Sequence, residues 1–357
     1  MCEDLNTKQK FPPRHLQVLH RYDTEYNADS VEWCPIEPYR NYFVCANYQL
    51  EELVTECAPP ESPRNTRFGR IMLFCLEGKE LALKQCIRTA AILDLKWCHV
   101  ALNGVPVLGA VDAMGSLIIY KLTDEKLELI DTQTSKTEGK ETLMLSLDWS
   151  TGVKQDNPKI ITSDSNGYAH SYTYNNVLEK IQTYKAHKYE AWIAAFYYWD
   201  TNIFYTGGDD SYLLMFDARS GLEPVIKNRS HLAGVTCIHS NPFLEFIVAS
   251  GSYDESVKIW DMRHFKSPLR ETKMPGTMWR LKWDPYVGNH LLAACMLGGV
   301  HVLECKDRPN VVESFYDHEK IAYGVDWRHA TVDEDIVIAS CSFYDHLLCV
   351  SQLKLDF

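Results

Sequence analysis

Two His–Asp pairs recur in this chain at one spacing. His187 and Asp210 are followed, 44 residues later in each case, by His231 and Asp254. An imidazole beside a carboxylate is raw material for general acid–base chemistry. The same pair, buried, satisfies both partners and pins a turn. Recurrence at matched positions favours this structural role for His231 with Asp254 and for His187 with Asp210. His318, with Ser340 and Asp345, forms a looser set. Asp209, Tyr253 and Glu255 neighbour the pairs but are not required by the repetition. They read either as a solvated turn or as groups free to act on a ligand. The segment MPGTMWRLKWDP (274 to 285) lacks a matching His and places Trp279 beside Arg280, and Tyr323 falls at the place of Trp279 one copy later. Aromatic faces can hold a cation, and a guanidinium can hold an anion. Core packing and a surface salt bridge would use the same residues. No metal site is expected: the 12 Cys are scattered without C-x-x-C, and H-E-x-x-H is absent. No cofactor motif is present, and there is no G-x-S-x-G to form a nucleophile elbow.

The elements that must position these residues repeat. ASGSYDESVKIWDMR (249 to 263) restates YTGGDDSYLLMFDAR (205 to 219) after 44 residues. An apolar run ending in a marker precedes each such unit, at Trp33, Trp97, Trp149, Tyr197, Ser240, Trp283 and Trp327. The short apolar runs are separated by Gly, Asn, Asp or Pro, which are strand and turn signals. Seven copies of about 44 residues, each with four short strands, predict an all-β, seven-bladed propeller. The whole chain, 1–357, is then one domain. The last copy lacks room for a fourth strand, and residues 16–26 are expected to supply it and close the ring. The acidic, then Pro-rich stretch 51–68 is expected to be a loop inserted within the first blade. The sixth copy has exchanged the polar set for Gly298-Gly299. Its Trp279-Arg280 is expected at the mouth of the central channel, with Arg280 facing solvent or ligand.

Composition narrows the function. Lys plus Arg number 36 and Asp plus Glu 48, a net charge of −12. An acidic chain repels phosphate backbones, so direct nucleic-acid binding is not expected and a cationic partner is easier. The amino terminus MCEDLNTKQK is polar, and no apolar run approaches the roughly 18 residues of a membrane span. A cytoplasmic protein without membrane contact is expected.

The fifth copy resembles the WD-repeat pattern, in which His231, Ser250, Asp254 and Trp260 would form one hydrogen-bonded set. GGDD (207 to 210), HLAGVTCI, GSYDE (251 to 255) and WRLKW followed by HLLAACM are more specific. They resemble the WD-repeat diphthine methyl ester hydrolases of diphthamide biosynthesis, also called diphthine methyltransferases. Asp284 departs from the His expected before Pro in that family. The resemblance implies a hydrolase whose partner is elongation factor 2, carrying a modified His with a trimethylammonium group and a methyl ester. Other enzymes of the pathway are implied as further partners. Ester hydrolysis would then use a water activated by a His or a carboxylate at the channel mouth, with Asp209 or Glu255 as base or orienting a His, and Arg280 on the ester carbonyl or product carboxylate. Trp279, Tyr323 and Tyr253 would bind the substrate. Most propellers are non-catalytic platforms, so a scaffold or adaptor using the same face is the alternative.

Overall fold

The computed structural model describes residues 16–52, 65–135, 140–329 and 335–355. They form seven antiparallel sheets, joined in chain order. The innermost strands are Ala28–Trp33, Ile92–Trp97, Met144–Trp149, Ile193–Phe196, Val235–Ser240, Arg280–Trp283 and Ala322–Trp327. Each contacts the innermost strand of the next sheet, and the last contacts the first, so the ring is closed. Leu16–Asp23 is the outer strand of blade seven. It pairs antiparallel with Leu347–Leu353, from Leu16 against Leu353 to Asp23 against Leu347.

Seven buried apolar clusters fill the gaps, one between each pair of neighbouring blades. This explains the repeat: each sheet must present the same apolar faces to both neighbours. The marker tryptophans stitch the ring as well. The indole N–H groups of Trp97, Trp149, Trp283 and Trp327 donate to the carbonyls of Glu32, Lys96, His239 and Lys282, each in the preceding blade. Buried carboxylates add cross-blade links, with Asp94 accepting from the Leu147 amide, Asp148 from Phe196 and Asp326 from Trp33.

Two details differ from the sequence reading. The ends of the stretch 51–68 are strand, because Gln49–Glu52 pairs with Asn65–Phe68 and extends the first blade; residues 53–64 lie outside the described residues. In blade four the marker is Phe196, not Tyr197. Phe196 pairs with Phe204 and Ser240 with Val248, and 248 − 204 = 44 places Phe196 44 residues before Ser240.

That register matters for the channel. Five innermost strands slip register at the residue four before the marker: Asp29, Leu93, Leu145, Thr236 and Tyr323. A β-bulge places two residues opposite one and re-aims a side chain. Blade six does the equivalent: the Trp279 amide bonds the carbonyl of Ala294, which is also the partner of Arg280. Trp192 holds the matching place in blade four. Among the described residues no helix is long and apolar enough to cross a membrane.

Candidate active site

Six of those seven positions line a cavity of about 290 Å³ at one mouth of the channel: Asp29, Leu93, Leu145, Trp192, Trp279 and Tyr323. The turns between second and third strands add Ser165, Tyr253 and Phe343, and blade one adds Tyr48 and Arg67. The bulge is therefore the device that builds the site.

The aromatic rings form a continuous arc over blades four to seven. Trp192 meets Trp279 edge-on at 5.7 Å between centroids, and Tyr253 at 6.2 Å. Trp279 stacks on Tyr323 at 4.6 Å, and Tyr323 tilts against Phe343 at 5.0 Å. Tyr48 continues the arc to Phe343 at 5.9 Å. Rings in such an array present negative faces that suit a desolvated cation. Trp279 is positioned by the loop before it. Gly276 and Gly298 pack backbone to backbone: a Cβ on Gly276 would lie 2.8 Å from the Gly298 nitrogen. This packing accounts for glycine in the turn where other blades have Asp.

Arg280, one residue deeper, is buried and pairs with Asp94 of blade two at 3.1 Å. The pair continues through the channel as Asp94–Lys96 at 3.0 Å, Lys96–Glu32 at 3.2 Å, Glu32–Lys282, and Lys282–Asp326 at 3.6 Å. Burial opposes the charge on Asp94, yet Arg280 and Lys96 hold its pKa below the ordinary value. The line reaches a smaller cavity of about 80 Å³ at the opposite mouth, where burial keeps His99 and His329 neutral, each with a pKa lowered to about 3.

Several expectations are redrawn by this geometry. Arg280 lines the cavity but does not face open solvent, because Asp94 holds it in the channel wall. Asp209 accepts the indole N–H of Trp192 at 3.1 Å, so it orients the aromatic arc from behind and does not line the cavity. Glu255 is exposed on its turn, in the left-handed backbone region (φ 62°), and also stands outside the cavity. Tyr253, Trp279 and Tyr323 do line it. His231 donates through Nδ1 to Asp254 at 3.0 Å, Nε2 meets Ser250 at 2.8 Å, and Trp260 donates to the same Ser250. His187 bonds Asp210 at 2.8 Å and Thr206 at 2.9 Å. His318 bonds Ser340, but its Nδ1 has no hydrogen-bond partner among the described residues; Asp345 instead receives the Glu319 amide. Asp284 is fully buried and accepts the amides of Tyr286, Val287, Gly288 and His290, a turn-holding role. Asp29 and Trp192 escaped the sequence reading. Counting back four residues from each marker would have exposed both, once blade four is read in register.

Comparison with known proteins agrees with this architecture. Residues 222–261 match the family described as WD domain, G-beta repeat. Over its full length the chain is similar to a chain in the crystal structure of the Mitotic Checkpoint Complex, with a TM-score of 0.70, 14% identity and 100% coverage of both chains. This likeness concerns the fold. The human protein named diphthine methyltransferase is 39% identical over 335 residues, covering 87% of this chain and 74% of the relative. The Dictyostelium discoideum diphthine methyltransferase homolog is 34% identical over 371 residues, covering 91% and 96%. The Schizosaccharomyces pombe diphthine methyltransferase is 29% identical over 337 residues, covering 92% and 95%. With a seven-bladed WD-repeat propeller and identity sustained over most of both chains, this protein belongs to the diphthine methyltransferase family.

Proposed function

We propose that the protein acts in diphthamide biosynthesis by hydrolysing the methyl ester of methylated diphthine on elongation factor 2, with release of methanol. The observation that carries this reading is the aromatic arc at the channel mouth with a guanidinium at its inner edge. A trimethylammonium ion is large, weakly hydrated and cationic, and the aromatic side chains of Trp192, Tyr253, Trp279 and Tyr323 line the cavity that would receive it. Arg280 at the inner edge is placed to receive the ester carbonyl oxygen as it gains charge, or the product carboxylate. The net charge of −12 favours approach of a cationic group.

The relatives' names say methyltransferase, and the direction of methyl flow separates the two chemistries. Incubation of the pure protein with methylated elongation factor 2, without any methyl donor, should release one methanol and add one carboxylic acid to the substrate. Methyl incorporation that depends on an added donor would reject hydrolysis. A scaffold reading is favoured by one observation, the exposed apolar side chains of Tyr189, Leu232, Leu297 and Tyr344 around the same mouth. Tight binding of the factor with no methanol released would decide for it.

A further inference from the structure

Asp29 is a buried carboxyl group of the cavity wall whose described surroundings do not account for it. It is 5% exposed and lines the cavity from the bulge of the first blade. Its Oδ1 has no hydrogen-bond partner among the described residues. The other deeply buried channel carboxylates differ: Asp94, Asp148 and Asp326 each accept a backbone amide from the next blade, and Glu32 pairs with Lys96 and Lys282. Burying an acceptor without a donor is unfavourable, and such a group calls for an explanation in ligand or chemistry. A second group in the same cavity is in the same state. The indole N–H of Trp279 is buried with no acceptor among the described residues. One unpaired acceptor and one unpaired donor, on two residues that line one cavity, would be satisfied by a water and a carbonyl oxygen.

We propose that Asp29 is the general base of ester hydrolysis, and that the substrate's own quaternary ammonium brings it into its ionised, active form. The assignment rests on the methyl-ester reading above. The Asp29 carboxylate takes a proton from water as the water oxygen bonds to the ester carbonyl carbon. The carbonyl electron pair moves to oxygen, toward Trp279 Nε1–H and Arg280. The pair then returns, the carbon–methoxy bond breaks, and Asp29 passes its proton to the departing methoxide. Methanol leaves, and the new carboxylic acid ionises to water.

The groups around Asp29 set its titration. Arg280 and Asp94 act on it from blades six and two, Tyr323 and Cys341 face it from blade seven, and Tyr48 from its own blade. Arg67 and Glu190 are the other charged side chains of the cavity. Burial pushes the carboxyl well above its ordinary value, Arg280 pulls it back, and Asp94 adds to the rise. Without ligand these surroundings favour the protonated form more than an ordinary carboxyl group does. A trimethylammonium seated in the arc adds positive charge and favours the carboxylate. Neutral esters of the same shape lack this effect.

The test is methanol release measured across pH. The acid limb of kcat/KM reports the free enzyme, and that of kcat reports the complex. With the trimethylammonium ester, the kcat limb should lie at lower pH than the kcat/KM limb. With the carbon isostere, a tert-butyl group in place of the trimethylammonium, the two limbs should coincide. Coincident limbs for the cationic ester would overturn the proposal, and this profile needs only the parent protein. Asp29→Asn should lower kcat by roughly 10²–10⁴-fold, the range for a positioned acid–base group. It should leave binding of the neutral tert-butyl ester nearly unchanged, because that ligand does not couple to the ionisation of Asp29. An active parent with an equally active Asp29→Asn would reject Asp29 alone. A parent that releases no methanol would reject the esterase reading, and this assignment with it.

Discussion

Arg280 belongs both to the buried ion-pair line and to the cavity wall, and its substitutions can separate stability from turnover. Its partner Asp94 is fully buried; truncating Arg280 leaves that carboxylate with Lys96 and the Leu147 amide but without its guanidinium. Breaking a buried pair by removing one partner costs about 3–5 kcal/mol. Arg280→Ala should therefore lower unfolding free energy by that order in a urea titration, and not merely slow turnover. Arg280→Lys keeps the charge but loses the planar fork, so stability should recover more fully than methanol release does. Asp148 gives the complementary case, a carboxyl whose charge is unwelcome. Burial pushes its pKa up to about 7, although the Phe196 amide, Lys96, Tyr198 and Lys282 work in the other direction. The folded form therefore holds a proton that the unfolded chain, at about 3.9, gives up. Below about pH 3.9 the group is neutral in both states and exerts no pull. Between there and about pH 7 the unfolded state alone ionises, and stability falls by up to about 1.4 kcal/mol per pH unit. Asp148→Asn removes that slope. Measured against the parent at pH 4, 5, 6 and 7, the variant should gain relative stability at each step and level off above pH 7. A pH-independent difference would place the folded pKa near the ordinary value.

At the scale of elements, the closing strand decides whether the ring is one cooperative unit. Leu16–Asp23 covers the edge of Leu347–Leu353 and joins the chain's two ends through a ladder. A chain lacking residues 1–23 leaves that edge unpaired, which templates association with other chains. It should elute as aggregates in size-exclusion chromatography and lose the sharp melt of the parent; a monomer with the parent's melting temperature would show that closure is dispensable. The seven blades and this strand were legible in the sequence, because packing the same sheet against two neighbours imposes the 44-residue period. The site was legible only in part. Trp279 and Tyr323 stand four residues before a tryptophan marker and showed themselves by alignment. Trp192 did not, because a one-residue error at Tyr197 moves every side chain of a strand to the wrong face. Asp29 also stands four residues before its marker, but a carboxyl group does not continue the aromatic series of Trp279 and Tyr323, and the bulge that re-aims it exists only in the pairing of two strands. Arg280 was seen, but its partner Asp94 lies four blades away around the ring, and only closure brings them together.

For the whole molecule, the informative feature is where apolar surface remains outside. Tyr189, Leu232, Leu297 and Tyr344 are exposed, Leu232 by 85% and Leu297 by 77%. They stand on the loops and turns of blades four to seven, the same arc that carries Trp192, Tyr253, Trp279, Tyr323 and Phe343. A folded chain gains nothing from leaving two leucines so exposed, whereas a protein partner delivering a modified side chain into the cavity would cover them. Interface anchors cost more than about 1 kcal/mol when lost, and each 1.4 kcal/mol is tenfold in affinity. The double variant Leu232→Glu, Leu297→Glu should therefore raise KM for methylated elongation factor 2 by about tenfold or more, with kcat unchanged. Melting should stay within about 0.5 kcal/mol of the parent, as for ordinary surface changes. Release of methanol from a small trimethylammonium methyl ester, which reaches the cavity without touching the rim, should proceed at the parent's rate. If KM for the protein substrate is also unchanged, the factor docks on another part of the propeller and the rim has a different occupant. If the small ester slows as well, the substitutions have reached the cavity through Tyr253 and the loop before Trp279, and the rim is part of the site itself.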